Sequence, residues 1–154
     1  MKRKMISCLL IVLMLGMSVS FASVTQTDEE LIGVGITAYA LVHLYEGLHQ
    51  WGFLPVPGLT GSSAEDGSYW YTFREVDLDG DGLFVLNGKN VATVSEAGVR
   101  ETLDITIQDG GTISYTVHIA ASGPSGEDPV MTSFSINGKS FTQAQIEILL
   151  KEDE

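Results

Sequence analysis

The stretch TDEELIGVGITAYALVHLYEGLHQ, residues 27–50, decides the fold of this chain. It begins with Thr27 three residues before Glu30, the spacing of a capping box, and the acidic residues of this first turn complement the dipole of a helix. Residues 31–45 contain no Asp, Glu, Lys or Arg. Apolar residues therefore lie on more than one side of the predicted helix, which indicates a helix that other elements bury on several sides.

The segment after this helix predicts where the helix ends and where a sheet begins. Gly52 suits a helix C-terminal cap, and the prolines Pro55 and Pro57 impose an extended path. Residues 60–67 are rich in glycine, serine and acids, and we interpret them as a surface linker. From Ser68 onward apolar and polar residues alternate with a period of two, which is typical of β-strands with one covered face.

The alternating part of the chain predicts an antiparallel sheet. Its two longest segments, residues 102–107 and 113–119, form the predicted centre of the sheet. Asn87-Gly88 predicts a tight hairpin turn between two shorter strands, and Asn137-Gly138 predicts another. We therefore predict a single α+β domain, in which a long buried N-terminal helix packs on an antiparallel sheet of about five or six strands, with a short C-terminal helix.

The first 22 residues predict export. A basic start at residues 2–4 precedes an apolar run and a small-residue end, the order of a secretory signal peptide, so we expect cleavage after Ala22. The domain would then span residues 23–154, and the protein would be secreted or periplasmic, without stable membrane insertion. The only cysteine, Cys8, lies inside the signal peptide, so the exported domain would have no thiol.

Removal of the signal peptide would make an acidic chain more acidic. The full sequence has 20 acidic residues and 8 Lys or Arg residues, for a net charge of −12. The signal peptide holds three of the basic residues and no acidic one, so the exported domain would carry −15. Such a charge disfavours nucleic acid and anionic membrane surfaces as partners and favours cations and basic partners.

One motif could carry chemistry, the sequence DLDGDG at residues 77–82. Acids at alternate positions with a glycine at the sixth resemble the first half of EF-hand calcium loops. The resemblance implies the side chains of Asp77, Asp79 and Asp81 and the carbonyl of Leu83 as calcium ligands. Such a short loop can wrap several hard oxygens around one ion, which is what calcium requires.

The resemblance covers only these residues and departs from the EF-hand family at two points. Position twelve, where EF-hands place a bidentate glutamate, is Gly88, and a strand follows instead of a helix. A site without this acid is expected to bind calcium with the millimolar affinity of extracellular modules, with Glu75 or a distant acid completing the ligands. The alternative interpretation is an acidic, solvated turn between two strands, because Asp-Gly is common in turns.

Other polar residues give weaker indications. On the helix, His43, Glu46 and His49 recur at three-residue steps, but His43 and His49 are too far apart around the axis for all three to bind one ion. His118 lies on the solvated face of a predicted strand, without a nearby nucleophile in the sequence. The aromatic residues around Trp70 could stack on a sugar or fill the core. The sequence lacks the local motifs of serine hydrolases, phosphate-binding loops and zinc proteases.

These observations predict a non-catalytic secreted or periplasmic domain for binding or scaffolding, stabilised by one weak calcium ion at residues 77–82. Its partner would be a protein or a glycan, and the small residues of the helix could support a homo-oligomer. The alternative is a small secreted enzyme or ligand carrier with a pocket between helix and sheet, lined by Tyr39, His43 and Trp70. A histidine held against a carboxylate in a closed pocket would support this alternative.

Overall fold

The computed structural model describes residues 27–52, 54–77, 79–110 and 113–152, so the predicted signal peptide, residues 1–22, lies outside the described residues. The described residues contain a long helix, a seven-stranded antiparallel sheet and a short C-terminal helix, which confirms the α+β class with a sheet slightly larger than predicted. The elements are α1 Asp28–Trp51, β1 Leu59–Ser63, β2 Tyr69–Val76, β3 Val85–Ser95, β4 Gly98–Asp109, β5 Ile113–Gly123, β6 Val130–Ile136, β7 Lys139–Ser140 and α2 Gln143–Glu152.

Helix α1 has the boundaries that its capping residues predict. Thr27 Oγ1 accepts the Glu30 backbone N–H at 3.2 Å, and Glu30 Oε2 accepts the Thr27 backbone N–H at 3.0 Å, which completes the capping box. At the other end Gly52 adopts the left-handed conformation, with φ 64°, and its N–H donates to the His49 carbonyl. Local hydrogen bonding therefore sets the length of the helix.

The sheet curls around α1. Its strands pair in chain order from β1 to β7, and every pair is antiparallel. Helix α1 contacts β1 near one edge of the sheet and β5 and β6 near the other, which requires the sheet to bend around the helix. Residues 30–49 are all buried or half-buried as a result. The core between the helix and the inner face of the sheet includes Val34, Val42, Phe73, Leu103, Val117, Phe134 and Ile136.

Helix α1 is long and apolar enough to cross a membrane, by length and composition alone. Core helices and signal sequences share this length and composition, and about half of the apolar part of α1 is buried inside the structure. Helix α1 is therefore the core helix of the domain. An apolar helix near the N-terminus is also compatible with export.

The prediction of a hairpin turn at Asn87-Gly88 is wrong. Strand β3 runs through both residues, and the chain turns into β4 only at residues 96–97. Asn87 Oδ1 accepts the Glu75 backbone N–H at 2.9 Å beside a bulge in β2, and Gly88 pairs with Ile105 of β4. Because β3 has a paired strand on both sides here, the dipeptide accommodates a bulge instead of making a turn.

The prediction of a surface linker at residues 60–67 is wrong for its first half, which belongs to a strand. The chain up to Ser63 forms the edge strand β1, which pairs with β2 along its whole length. Leu59 at the start of this strand is buried in the core, whereas the small residues after it give little alternation of apolar and polar side chains. Residues 64–67 form the exposed turn between β1 and β2.

Replacement of Gly88 with alanine tests the path of β3. Gly88 has φ 136°, and an added Cβ would lie 2.2 Å from the Asp104 carbonyl oxygen, which belongs to a paired backbone. We expect Gly88→Ala to lower the free energy of unfolding by about 1–3 kcal/mol, measured by denaturant titration. Gly33→Ala is the control, because nothing lies within 4 Å of its added Cβ and alanine favours the helix. Equal stability of Gly88→Ala and the wild type would contradict this close approach of β3 and β4.

Candidate functional site

The connection between β2 and β3 brings three carboxylates together. Asp77, Asp79 and Asp81 each offer an oxygen, and these oxygens lie within 4.8 Å of one another. Asp77 is half-buried, and the other two are exposed. Negative groups at this spacing repel one another, and a cation bound between them would relieve the repulsion. This acidic loop, residues 77–82, could therefore hold a metal ion.

Hydrogen bonds within the acidic loop define its shape. The Asp77 carboxylate accepts the N–H groups of Gly80 at 3.1 Å and Gly82 at 2.8 Å. Both glycines have positive φ, at 70° and 77°, which glycine adopts without strain. Leu83, whose carbonyl is a predicted ligand, donates its N–H to Asp81 Oδ1 at 2.7 Å at the end of the loop. Asp77 is therefore the residue that holds the turn together.

A second group of polar side chains lies between α1 and the sheet. His43 and Glu46 come from α1, Tyr69 from β2, Asn90 from β3 and Glu101 from β4. Glu46 and Glu101 are each 6% exposed, and Asn90 is fully buried. These five residues form the buried polar cluster. Burying so many polar groups is favourable only when they satisfy one another.

Glu101 is the central acceptor of the buried polar cluster. Its Oε1 accepts the Tyr69 hydroxyl at 2.6 Å and the Asn90 side-chain amide at 3.1 Å, and His43 Nε2 lies 3.0 Å away. The His43 contact is off the direction of the N–H bond, so it is an ion pair and not an aligned hydrogen bond. Glu46 accepts the Asn90 amide at 3.0 Å and lies 3.4 Å from His43 Nδ1. The cluster thereby joins the helix to three strands.

The charges of the cluster follow from these contacts. Burial alone would lower the pKa of His43, but the two carboxylates outweigh burial and raise this pKa to about 10. Burial would raise the pKa of Glu101, but His43, Tyr69 and Asn90 lower it to about 2. Burial raises the pKa of Glu46, and His43 offsets part of the rise. At neutral pH a protonated His43 therefore faces an ionised Glu101.

Sequence reasoning identifies His43 and Glu46 as polar residues of interest but misses Asn90 and Glu101. Glu101 occupies an inward position of the alternation that continues through Leu103, and a charge at such a position is the signal that could have revealed it. Asn90 lies on the inner face of β3, and the hairpin predicted just before it hides this placement. Together with Tyr69, the two missed residues supply the strand half of the cluster.

The remaining predicted residues lie at the rim of the cluster or away from it. Tyr39 packs edge-on against His43, with ring centroids 4.4 Å apart. His49 packs against Tyr71 instead, so the three-residue series on α1 does not converge. Trp70 is 51% exposed on the outer face of the sheet, so its predicted place in a pocket between helix and sheet is wrong.

On the outer face of the sheet, His118 of β5 lies opposite Asp104 of β4. His118 Nδ1 and Asp104 Oδ1 are 2.6 Å apart, and the side chains are 40% and 45% exposed. An ionised carboxylate only accepts hydrogen bonds, so Nδ1 carries the proton of this bond. In the neutral ring Nε2 is then an acceptor on the side away from Asp104.

Comparison of the chain with protein-family models, with curated proteins and with solved structures finds no match. Its own fold and sites define its class: an α+β domain whose sheet curls around one helix, with an exposed acidic loop and a buried polar cluster. Of these two sites, ions in solution reach the acidic loop directly, because two of its three carboxylates are exposed.

Proposed function

We propose that this chain is an exported binding or scaffold domain whose acidic loop binds one calcium ion weakly. The convergence of Asp77, Asp79 and Asp81 within 4.8 Å carries this proposal. Extracellular calcium-binding modules work at Kd values of about 0.1–1 mM, the range expected for a loop without a bidentate glutamate. The signal peptide expected from the sequence and the negative charge of the chain support the same role.

Calcium suits the acidic loop better than magnesium does. Calcium accepts about six to eight hard oxygens in flexible geometry, whereas magnesium demands a near-ideal octahedron and gives up its water reluctantly. The exposed carboxylates of Asp79 and Asp81 leave room for water molecules to complete a flexible shell. An ion held there would fix the connection between β2 and β3, and it would therefore add to the stability of the fold.

A thermal melt with and without calcium tests this proposal. If Kd is near 1 mM, about 5 mM calcium should add about 1 kcal/mol of stability and raise Tm by a few degrees. Asp79→Ala should abolish the rise. Asp79 is the better choice for substitution because its carboxylate accepts only a long contact, 3.5 Å from the Asp81 N–H, whereas Asp77 holds the turn.

Glu96→Gln is the matched control for this melt, because it removes one negative charge from another exposed turn. Its Tm should rise with calcium as in the wild type, and magnesium at the same concentration should give a smaller rise. If the wild type shows no rise at about 5 mM calcium, or Asp79→Ala shows an equal rise, the loop is an acidic turn and the calcium proposal fails.

The outer face of the sheet supports a binding role. Trp70 of β2 and Val91 of β3 lie opposite each other, and both are exposed. An exposed tryptophan offers an apolar ring on which a sugar or an apolar side chain of another protein could stack. The strong negative charge disfavours nucleic acid, so a protein or a glycan is the proposed class of partner.

One observation favours the alternative, a small exported enzyme or ligand carrier. The structure places His43 against Glu46 and Glu101, and such groups of titratable residues with shifted pKa values occur at active sites. The burial of both carboxylates and the protein donors that already occupy Glu101 favour a structural role for the cluster. Neutralising Glu101 separates the two roles, because it removes activity in one case and stability in the other.

A further inference from the structure

Three neighbouring strands bring an aspartate, a histidine and a serine into one row. Asp104 pairs with His118 across β4 and β5, and His118 pairs with Ser135 across β5 and β6. Side chains alternate between the two faces of a strand, so the row lies on the outer face if its chain neighbours point inward. All of these neighbours are buried in the core: Leu103, Ile105, Val117, Ile119, Phe134 and Ile136.

The contact between His118 and Asp104 fixes which ring nitrogen of His118 bonds to β4. With Nδ1 bonded to Asp104 Oδ1 at 2.6 Å, Nε2 is the ring nitrogen that remains for a second partner, and β6, which carries Ser135, is the strand on the other side of β5. Residues directly opposite each other in an antiparallel pair have Cβ atoms about 4.5–5.5 Å apart, so a serine hydroxyl can rotate within reach of the facing ring. In serine nucleophiles activated by a neighbouring base, a carboxylate orients an imidazole and the imidazole takes the proton of the hydroxyl. The row presents these three groups in the same order.

We propose that Ser135 is a nucleophile, with His118 as its general base and Asp104 as the residue that orients His118, and that it accepts acyl groups from activated carboxylic esters. Ser135 Oγ forms a bond to the carbonyl carbon, the bond from that carbon to the leaving oxygen breaks, and the hydroxyl proton passes through His118 Nε2 to the leaving alkoxide. Water then attacks the acyl carbon, the bond from that carbon to Ser135 Oγ breaks, and the proton of the water passes through His118 Nε2 to Ser135 Oγ, which releases the acid and restores the serine. This reactivity goes beyond the proposed binding role.

The row is open to a substrate, unlike the buried polar cluster. His118 and Asp104 are partly exposed, and Ser135 is half-buried. The same exposure admits water to the row, and an acyl-transfer site that does not exclude water lacks much of the electrostatic stabilisation of a closed one. The expected substrates are therefore esters with good leaving groups.

Covalent labelling of the purified full chain with a fluorophosphonate tests this proposal. The probe phosphonylates activated serine hydroxyls with loss of fluoride, and mass spectrometry of the digested protein identifies the labelled serine. We expect the label on Ser135. Ser133 is the internal control, because it lies two residues away on the same strand but pairs with Ala120 instead of a histidine. Label on Ser133 equal to that on Ser135, or no label on Ser135, would overturn the proposal.

Substitutions separate an activated serine from one that is merely exposed. His118→Ala should lower the rate of labelling at Ser135 about 100-fold, the contribution typical of a general base. Asp104→Asn should also lower it, and Ser133→Ala should leave it unchanged. Hydrolysis of p-nitrophenyl acetate should fall in parallel with labelling, while the Tm of each variant stays close to that of the wild type. An unchanged labelling rate in His118→Ala would rule out activation by this row.

Discussion

Replacing Glu101 with glutamine should lower the free energy of unfolding by about 3–5 kcal/mol, because it removes one partner of a buried ion pair. Glutamine keeps the size of the side chain but replaces one acceptor oxygen with an amide donor and removes the charge that faces His43. The Tyr69 hydroxyl and the Asn90 amide converge on the same carboxylate oxygen. The glutamine oxygen can still accept from both donors, so most of the expected loss comes from His43, whose charge loses its nearest partner in the core.

The same substitution should change how stability depends on pH. The folded pKa of His43, about 10, exceeds its ordinary 6.5, so its contribution is complete below pH 6.5 and is lost as pH rises toward 10. The folded pKa of Glu101, about 2, lies below its ordinary 4.5, so its contribution is complete above pH 4.5 and is lost as pH falls toward 2. The pair therefore stabilises most between pH 4.5 and 6.5. In Glu101→Gln the free energy of unfolding should therefore depend less steeply on pH, both in the acidic and in the alkaline range.

Denaturant titrations of the wild type and Glu101→Gln from about pH 3 to pH 9 measure both effects. Tyr69→Phe is the milder companion variant, because it removes only the 2.6 Å hydroxyl bond to Glu101 and should cost about 1–3 kcal/mol. It keeps the test informative if Glu101→Gln does not fold. Glu96→Gln, in the exposed turn before β4, should change stability by less than about 0.5 kcal/mol.

A loss below about 1 kcal/mol for Glu101→Gln, with an unchanged pH profile, would contradict the structural role of the buried polar cluster. The enzyme or carrier alternative would then be the better account of why His43 faces two carboxylates. A large loss of stability supports the opposite conclusion, that these polar groups join α1 to the sheet.

The ends of α1 could be predicted from sequence because local bonds determine them. Thr27 and Gly52 each cap the helix through a partner three residues away. The two Asn-Gly dipeptides show that local sequence is not always sufficient to predict a turn. Asn137-Gly138 turns the chain between β6 and β7, with φ values of 51° and 79°, whereas Asn87-Gly88 lies inside a strand that is paired on both sides. The neighbouring strands make the difference, and they are distant in the sequence.

The candidate sites also differ in whether local sequence can predict them. The acidic loop is contiguous, so the spacing of its aspartates is visible in the sequence. The row of Asp104, His118 and Ser135 takes one residue from each of three strands, and a slip of one residue would place one of them on the opposite face. A bulge between Ala120 and Ala121 contributes to that register, and the pattern of apolar and polar residues does not predict this bulge.

Truncating Phe134 to alanine should lower the free energy of unfolding by about 3–5 kcal/mol. Phe134 of β6 is buried against α1 at Gly35, where an added Cβ would lie only 2.3 Å from the ring atom Cζ. The ring therefore fills the space that a helix residue without a side chain provides. Denaturant titration measures the loss, and Val130→Ala is the control, because Val130 lies on the same strand but is 57% exposed. The control should change stability by less than about 0.5 kcal/mol.

A double-mutant cycle with Gly35→Ala tests whether this contact positions α1 on the sheet. Alone, Gly35→Ala should cost about 1–3 kcal/mol, because the clash with Phe134 and Ile136 outweighs a gain in helix propensity of about 1 kcal/mol. In the Phe134→Ala background the cavity accepts the added methyl, so the same substitution should be neutral or stabilising. The coupling energy should then be at least about 1 kcal/mol. Additive effects would mean that the two residues do not meet, and that the contacts of Glu101, not packing on β6, hold the helix in place.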